Sequence, residues 1–142
     1  MILLDVEADN LLEDATLIHC LSYTSDGKNY QTIFDHQEMR DFILKQKGLI
    51  GHNIIRYDIP LLEKILGIKV KARLFDTLPM SWVLNYSRAK HGLETFGVDF
   101  DIPKPEISDW SGLTKEEYQH RCVEDVKINW LLWRNLLKRF LY

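Results

Sequence analysis

The chain opens with residues 2–8, ILLDVEA, which place Asp5 and Glu7 inside an apolar run. The flanking Leu and Val residues predict a buried strand. Strand side chains alternate between faces, so residues i and i+2 point the same way and the two acids lie side by side. Two like charges at the edge of a core repel each other and lose hydration, which destabilises the fold unless a cation or a proton offsets them. The pair therefore predicts a bound partner, and a solvated strand end is the alternative.

Length and composition predict one globular domain over residues 1–142. Of the 142 residues, 46% are hydrophobic and 27% are charged, which is typical of a chain that buries a real core. No apolar run reaches the roughly 18 residues of a membrane span, and the N-terminus lacks a secretory pattern, so we expect a cytoplasmic protein (host cytoplasm if viral) without a membrane partner. Cys20 and Cys122 lack metal-site spacing, which predicts reduced thiols. The net charge of -3 argues against a broad basic surface that holds nucleic acid unaided.

Hydrophobic patterning predicts an α/β chain. Three strands come first and are followed by alternating helices and strands, which implies a mixed central sheet with an antiparallel start, flanked by helices. The Asp-Gly in the turn SDGK favours a tight hairpin between the second and third strands. The expected strands are 1–8, 15–24, 29–35, 48–53 and 72–76, and the expected helices before the last one are 37–47, 58–67, 78–86 and 91–97.

The C-terminal helix is predicted by its cap and by its periodicity. Thr114 and Glu117 have the spacing of a capping box. Residues 98–113 before it, with two prolines and scattered acids, read as a connecting loop. The expected apolar stripe of the helix consists of Val123, Val126, Trp130, Leu131, Trp133, Leu137 and Phe140.

Two further acids stand where they could join the opening pair. Asp58 begins a predicted helix just after a strand, in GHNIIRYDIPLL, and Asp125 interrupts the apolar side of the last helix. Alone, Asp58 reads as a helix-start acid and Asp125 as a surface residue. Together, four carboxylates without matching Lys or Arg favour about two divalent cations, because hard ions prefer oxygen ligands. Two such ions can activate a water and stabilise the leaving oxygen of a phosphodiester.

The stretches DVE, HNIIRYD and HRCVED, in that order, resemble the three motifs of the DEDD superfamily, the DnaQ-like 3′-5′ exonucleases with a ribonuclease H-like fold. The resemblance spans residues 5 to about 133, and LLDVEADNLLEDATLIHC, FDTLPMSWVL and HGLETFG look most like the proofreading domain of phage-type family A DNA polymerases. It implies a divalent-metal-dependent exonuclease that removes nucleoside 5′-monophosphates. The implied ligands of two Mg²⁺ or Mn²⁺ ions are Asp5, Glu7, Asp58 and Asp125.

The resemblance also assigns a base and a substrate contact surface. The family places either a His five residues before the last acid or a Tyr four residues before it; here these positions hold His120 and Arg121, which matches the histidine (DEDDh) subclass. Five residues put His120 about 140° around an ideal helix from Asp125, so we expect His120 in a frayed or loop segment that swings in with substrate. By the same likeness, Ala8 meets the terminal sugar, Leu11 wedges against the terminal base, and Asn53 contacts the strand or orders the site.

Several alternatives stay open at this point. His120 also reads as an exposed helix-start histidine, Leu11 as a core residue, and Asp76 with Thr77 as a helix cap rather than a family element. The favoured substrate is the 3′ end of single-stranded DNA, with RNA 3′ trimming as the nearest alternative. Because no polymerase-length segment follows Tyr142, we expect a free-standing exonuclease or a subunit that works in trans with a replication polymerase. The rival from another class is a non-catalytic nucleic-acid-binding or polymerase-accessory module.

Overall fold

The computed structural model describes residues 1–102 and 112–141, and it contains one five-stranded mixed sheet. The strand order is β3-β2-β1-β4-β5, in which β1 pairs antiparallel with β2 and parallel with β4. The mixed sheet with an antiparallel start is thereby confirmed. The strands are β1 (Ile2–Ala8), β2 (Ile18–Thr24), β3 (Gln31–Ile33), β4 (Gly48–Gly51) and β5 (Arg73–Asp76), and the helices are α1 (His36–Lys45), α2 (Ile59–Leu66), α3 (Thr77–Leu84), α4 (Leu93–Asp99) and α5 (Lys115–Leu141).

The two faces of β1 belong to two different cores. Leu4 and Val6 face a cluster that contains the buried residues of α1 and α2. Leu3 faces the other way and packs with Val126 and Trp133 of α5. Since Asp5 and Glu7 share the face of Leu3, the strand presents both acids to α5.

Local sequence signals set the ends of several elements as predicted. Gly27 in the β2-β3 turn has a φ of 71°, a conformation that favours glycine. The carboxylate of Asp35 accepts a hydrogen bond from Glu38 N at the start of α1, and the hydroxyl of Thr114 accepts one from Glu117 N before α5. The helix starts were therefore readable from short motifs, whereas residues 25–30 between β2 and β3 form a longer connection than the tight hairpin that Asp-Gly predicted.

A π-helical turn, Ile54–Asp58, separates β4 from α2, and sequence patterning did not reveal it. Its start is crowded, because a Cβ on Gly51 would lie 2.7 Å from Cβ of Ile54. Asp58, predicted as the first residue of a helix, is the last residue of this turn. Single π-helical turns are rare in proteins, and a large share of those that occur lie at functional sites.

Two expectations from patterning were wrong in part. The helix α4 continues through Gly97 to Asp99, because Gly97 is buried against the chain and a Cβ there would lie 2.5 Å from Ile102 O. The predicted loop 98–113 therefore starts later, and residues 103–111 lie outside the described residues. On α5, Leu131 and Phe140 are exposed, while the buried face includes Cys122, Asp125, Val126, Ile128, Asn129, Leu132, Trp133 and Leu136.

Over the described ranges, 1–102 and 112–141, no helix combines the length and the apolarity that crossing a bilayer requires.

Candidate metal centre

Three of the four predicted metal ligands lie together. One carboxylate oxygen from each of Asp5, Glu7 and Asp125 lies within 4.8 Å of the other two. The first two belong to β1 and the third to α5, which crosses the same face of the sheet. Oxygen atoms at this spacing can share a hard divalent cation, whose oxygen ligands lie about 2.0 to 2.6 Å from the ion.

A thiol links the two elements that carry these acids. Cys122 Sγ lies 3.2 Å from the backbone oxygen of Asp5 and 3.7 Å from its Oδ2. Cys122 precedes Asp125 by three residues, so both side chains project from one face of α5. Burial raises the pKa of the Cys122 thiol well above its ordinary value, which keeps it a neutral donor beside the acids. Both cysteines, Cys20 and Cys122, are free and buried.

Asp58 is the most deeply buried of the four acids. Its side chain lies in the interior, at 2% exposure, and Oδ2 has no hydrogen-bond partner among the described residues. Burial raises its pKa well above the ordinary value, and the charges of Asp76, Glu7 and Asp125 raise it further. A buried carboxylate surrounded by other acids is destabilising unless a cation neutralises it. The donor set therefore fits a divalent ion.

Asp76 holds the π-helical turn in place. Its carboxylate accepts hydrogen bonds from Asn53 N at 2.8 Å, from Ile55 N at 3.2 Å and from Leu78 N at 3.0 Å. The last of these bonds is the helix cap that the sequence suggested. The first two tie the turn before Asp58 to the end of β5, so Asp76 also positions a candidate ligand.

A polar network under the site was missed by sequence reasoning. Thr77 Oγ1 donates to Asn129 Oδ1 at 2.7 Å, and His52 Nδ1 lies 2.9 Å from the same hydroxyl. Asn129 lies one turn after Asp125 on the buried face of α5. The network fixes α5 against α3 and the turn after β4, and the only sequence signal for it was a polar residue amid the apolar positions of the helix.

The three predicted substrate-contact residues lie in different parts of the fold. Ala8 ends β1 beside a register shift in the β1-β2 pair, and Asn53 has a φ of 62° at the start of the π-helical turn. Leu11 is 75% exposed, which rules out the core reading of this side chain.

The loop that carries Leu11 is tied down at several points. The carboxylate of Asp9 accepts hydrogen bonds from the hydroxyl and the backbone N of Thr16 and from Leu17 N, which lower its pKa to about 2. Lys64 Nζ donates to the backbone oxygens of Leu12 and Glu13 at 2.8 and 2.9 Å. The exposed leucine thus projects from a loop that several hydrogen bonds hold in place.

His120 and Arg121 face different ways on α5. His120 lies within the regular helix, so the expectation of a frayed or loop segment was wrong; its side chain is exposed. Arg121 lies only about 40° around the helix from Asp125, and its Nε is 3.4 Å from Glu7 Oε1. The residue type at position 121 suggested a departure from the family pattern, but its contact with Glu7 needed the structure.

Two tyrosines near the acids were not among the predicted site residues. Burial raises the pKa of Tyr57, and the charges of Asp58, Glu7, Asp5 and Asp9 raise it further. Tyr118 on α5 also has a raised pKa, from burial and from Glu7 and Asp9, and its ring stacks on His19 with centroids 4.0 Å apart. Both phenols are therefore held neutral at the edge of the site.

Manganese is expected to stabilise the protein, and more so at pH 8 than at pH 5.5. The raised pKa of Asp58 means that this group stabilises the metal-free fold below its ordinary pKa and loses that contribution as the pH rises through the folded value. Metal binding needs ionised carboxylates, so the metal affinity rises as the pH rises and these acids lose their protons. At 100 times the Kd, binding adds about 2.7 kcal/mol to the free energy of unfolding. Thermal melts at both pH values check this, with EDTA as the control; an equal or larger shift at pH 5.5 would contradict it.

Solved structures share this arrangement of strands and helices. NrnC from Brucella melitensis matches with a TM-score of 0.73 and 19% identity, over 97% of this chain and 72% of that one, and it has also been solved with bound Mg²⁺ and bound to pGG. Escherichia coli RNase D, an exoribonuclease involved in structured RNA processing, matches with a TM-score of 0.67 and 16% identity, over 97% of this chain and 39% of that one. Exonuclease X in complex with 5′ overhanging duplex DNA matches with a TM-score of 0.65 and 13% identity, over 99% of this chain and 93% of that one. No family model matches the sequence, and no curated protein matches it significantly.

The predicted fold class is confirmed by these matches. The chain has a ribonuclease H-like α/β fold, as its three acidic motifs indicated.

Proposed function

We propose that this protein is a divalent-metal-dependent 3′-5′ exonuclease. The observation that carries the proposal is the cluster of Asp5, Glu7 and Asp125, with the buried carboxylate of Asp58 beside it. Acids that repel one another in the interior are costly to a fold that has no use for them. This cost disfavours the rival, a non-catalytic module that keeps all four.

The proposed reaction is hydrolysis of the last phosphodiester at a 3′ end. The oxygen of a water forms a bond to phosphorus, the bond from phosphorus to the 3′ oxygen of the preceding nucleotide breaks, and that oxygen ends as a hydroxyl. Asp5, Glu7, Asp58 and Asp125 would hold two ions, Mg²⁺ or Mn²⁺. Such ions activate water and neutralise charge on the leaving oxygen. The product is a nucleoside 5′-monophosphate.

We propose single-stranded DNA as the substrate, in line with the likeness of the sequence to polymerase proofreading domains. The exposed Leu11 would stack on the terminal base, Ala8 would meet the terminal sugar, and Asn53 would contact the strand or order the site. A replication polymerase could present the 3′ end in trans. RNA 3′ trimming is the alternative, supported by the fold likeness to RNase D, an exoribonuclease.

The test of the function is digestion of matched 5′-labelled single-stranded DNA and RNA with Mg²⁺ and then with Mn²⁺. A ladder that shortens from the 3′ end and disappears with EDTA is the expected result. The faster substrate decides between DNA and RNA. Intact oligonucleotides under every metal condition, with a folded protein, would contradict the exonuclease and favour the binding module.

His120 is the proposed acceptor of the proton from the attacking water. A neutral imidazole can accept a proton near neutral pH, which suits that role. Because the side chain is exposed on α5, this role requires the start of the helix to rearrange locally when substrate binds.

Replacing His120 with glutamine is expected to lower kcat by about 10² to 10⁴-fold, the usual contribution of a general base. The stabilisation by Mn²⁺ should not change, because His120 is not a proposed ligand. Glu116→Gln, an exposed change on the first turn of α5, is the control and should retain activity. Steady-state kinetics and metal-dependent melts give both readouts; unchanged kcat would remove His120 from the mechanism.

A further inference from the structure

A guanidinium lies at the edge of the carboxylate cluster. Arg121 Nε is 3.4 Å from Glu7 Oε1, and the side chains of Arg121 and Glu7 are 15% and 14% exposed. Arg121 precedes Asp125 by four residues, so both project from one face of α5. The cluster that is proposed to bind divalent ions therefore also contains a permanent positive charge.

This charge opposes metal binding. Arginine does not lose its proton in proteins, and repulsion between a half-buried cation and a nearby divalent ion is screened less than on an open surface. A site that only had to hold metal would bind it more tightly with a neutral side chain at position 121. The retained charge therefore points to an anionic ligand in the same site.

The anion that fits is the phosphate of the terminal nucleotide. The planar guanidinium fork pairs with two phosphate oxygens at once, and a fixed positive charge stabilises the charge that develops during the reaction. We propose that Arg121 is a catalytic residue, which pairs with Glu7 in the resting protein and with a non-bridging oxygen of the scissile phosphate when substrate is bound. This rests on the proposed exonuclease function.

The competing account is that Arg121 only neutralises Glu7. Both accounts expect the metal affinity to change when the charge is removed. They differ on phosphate, because a counter-ion of Glu7 has no reason to affect the binding of a product phosphate or the rate of hydrolysis. Metal affinity, product affinity and rate must therefore be measured together.

The first measurement is titration of Mn²⁺ by calorimetry without nucleic acid. Arg121→Gln is expected to bind Mn²⁺ about tenfold more tightly than the wild type, because the repulsion is gone. Arg134→Gln is the matched control, since Arg134 is exposed on the same helix, and it should bind as the wild type does.

The second measurement compares dAMP with deoxyadenosine at saturating Mn²⁺. Arg121→Gln is expected to weaken dAMP about tenfold and to leave deoxyadenosine unchanged, while kcat on an oligonucleotide falls about 100-fold, as for the loss of one preorganised donor. Arg121→Lys keeps the charge and loses the fork, so an intermediate loss is expected. If the glutamine variant melts at a lower temperature, the lysine variant still tests the proposal, because it keeps the positive charge.

The outcomes separate the two proposals. Tighter Mn²⁺ binding with unchanged dAMP affinity and unchanged kcat would reduce Arg121 to a counter-ion and overturn this inference, while the exonuclease would stand. A wild-type protein that binds no Mn²⁺ and degrades no oligonucleotide would overturn the proposed function and this inference together.

Discussion

Asp125→Asn is expected to reduce exonuclease activity by about 1,000-fold or more. Asp125 is the one proposed ligand that α5 supplies, and one of its oxygens lies within 4.8 Å of those of Asp5 and Glu7. The amide keeps the shape of the side chain but removes the charge that would hold a divalent ion. Losing several kcal/mol of transition-state stabilisation corresponds to a factor of at least about 10³ in rate. Initial rates of 3′ shortening on labelled oligonucleotides measure the effect.

The control for this variant is the neighbouring acid. Glu124→Gln removes one negative charge from the same helix, but Glu124 pairs with Lys127 at 3.3 Å rather than joining the cluster. It should retain nearly full activity and the wild-type stabilisation by Mn²⁺. Comparable losses in both variants would mean that net charge, and not a ligand at position 125, governs the activity.

Asp58→Asn is expected to make the metal-free protein more stable while weakening its response to metal. At pH 7 the wild-type carboxylate is disfavoured by burial and by neighbouring acids, which is the cause of its raised pKa. A neutral amide of the same shape avoids that cost, and we expect a gain of about 1 to 3 kcal/mol in the free energy of unfolding. Below the ordinary pKa of the carboxyl the gain should vanish, because the wild-type group is protonated there.

Denaturant unfolding in EDTA at pH 7 and at low pH, followed by melts with Mn²⁺, checks both halves of this prediction. Asp35→Asn is the matched control. Asp35 caps α1 through a hydrogen bond from Glu38 N, far from the cluster in sequence, and asparagine caps helices equally well. That variant should keep its stability and its metal response. A less stable Asp58→Asn protein would mean that the carboxylate has a compensating partner.

Local patterns in the sequence determined most of the secondary structure. Alternation in residues 2–8 predicted the first strand, and the Asp-Gly sequence predicted a turn between the second and third strands, because side-chain period and turn conformation are short-range properties. The end of α4 was misplaced, since Gly97 normally signals a helix end and here serves close packing against Ile102. The apolar stripe of α5 was also misplaced, because Asp125 and Asn129 are polar residues on its buried face.

The sequence by itself determined the fold class and singled out four acids as proposed ligands, because three spaced motifs in a fixed order are specific even when each motif alone is weak. Only the tertiary structure decided which side chains meet. It brought Asp125 beside Asp5 and Glu7, buried Asp58 at the end of a π-helical turn, and turned Arg121 rather than His120 toward the cluster. Those outcomes depend on how α5 crosses the sheet and on the hydrogen bonds of Asp76 and Thr77, which join residues far apart in the chain. No local pattern contains such long-range contacts.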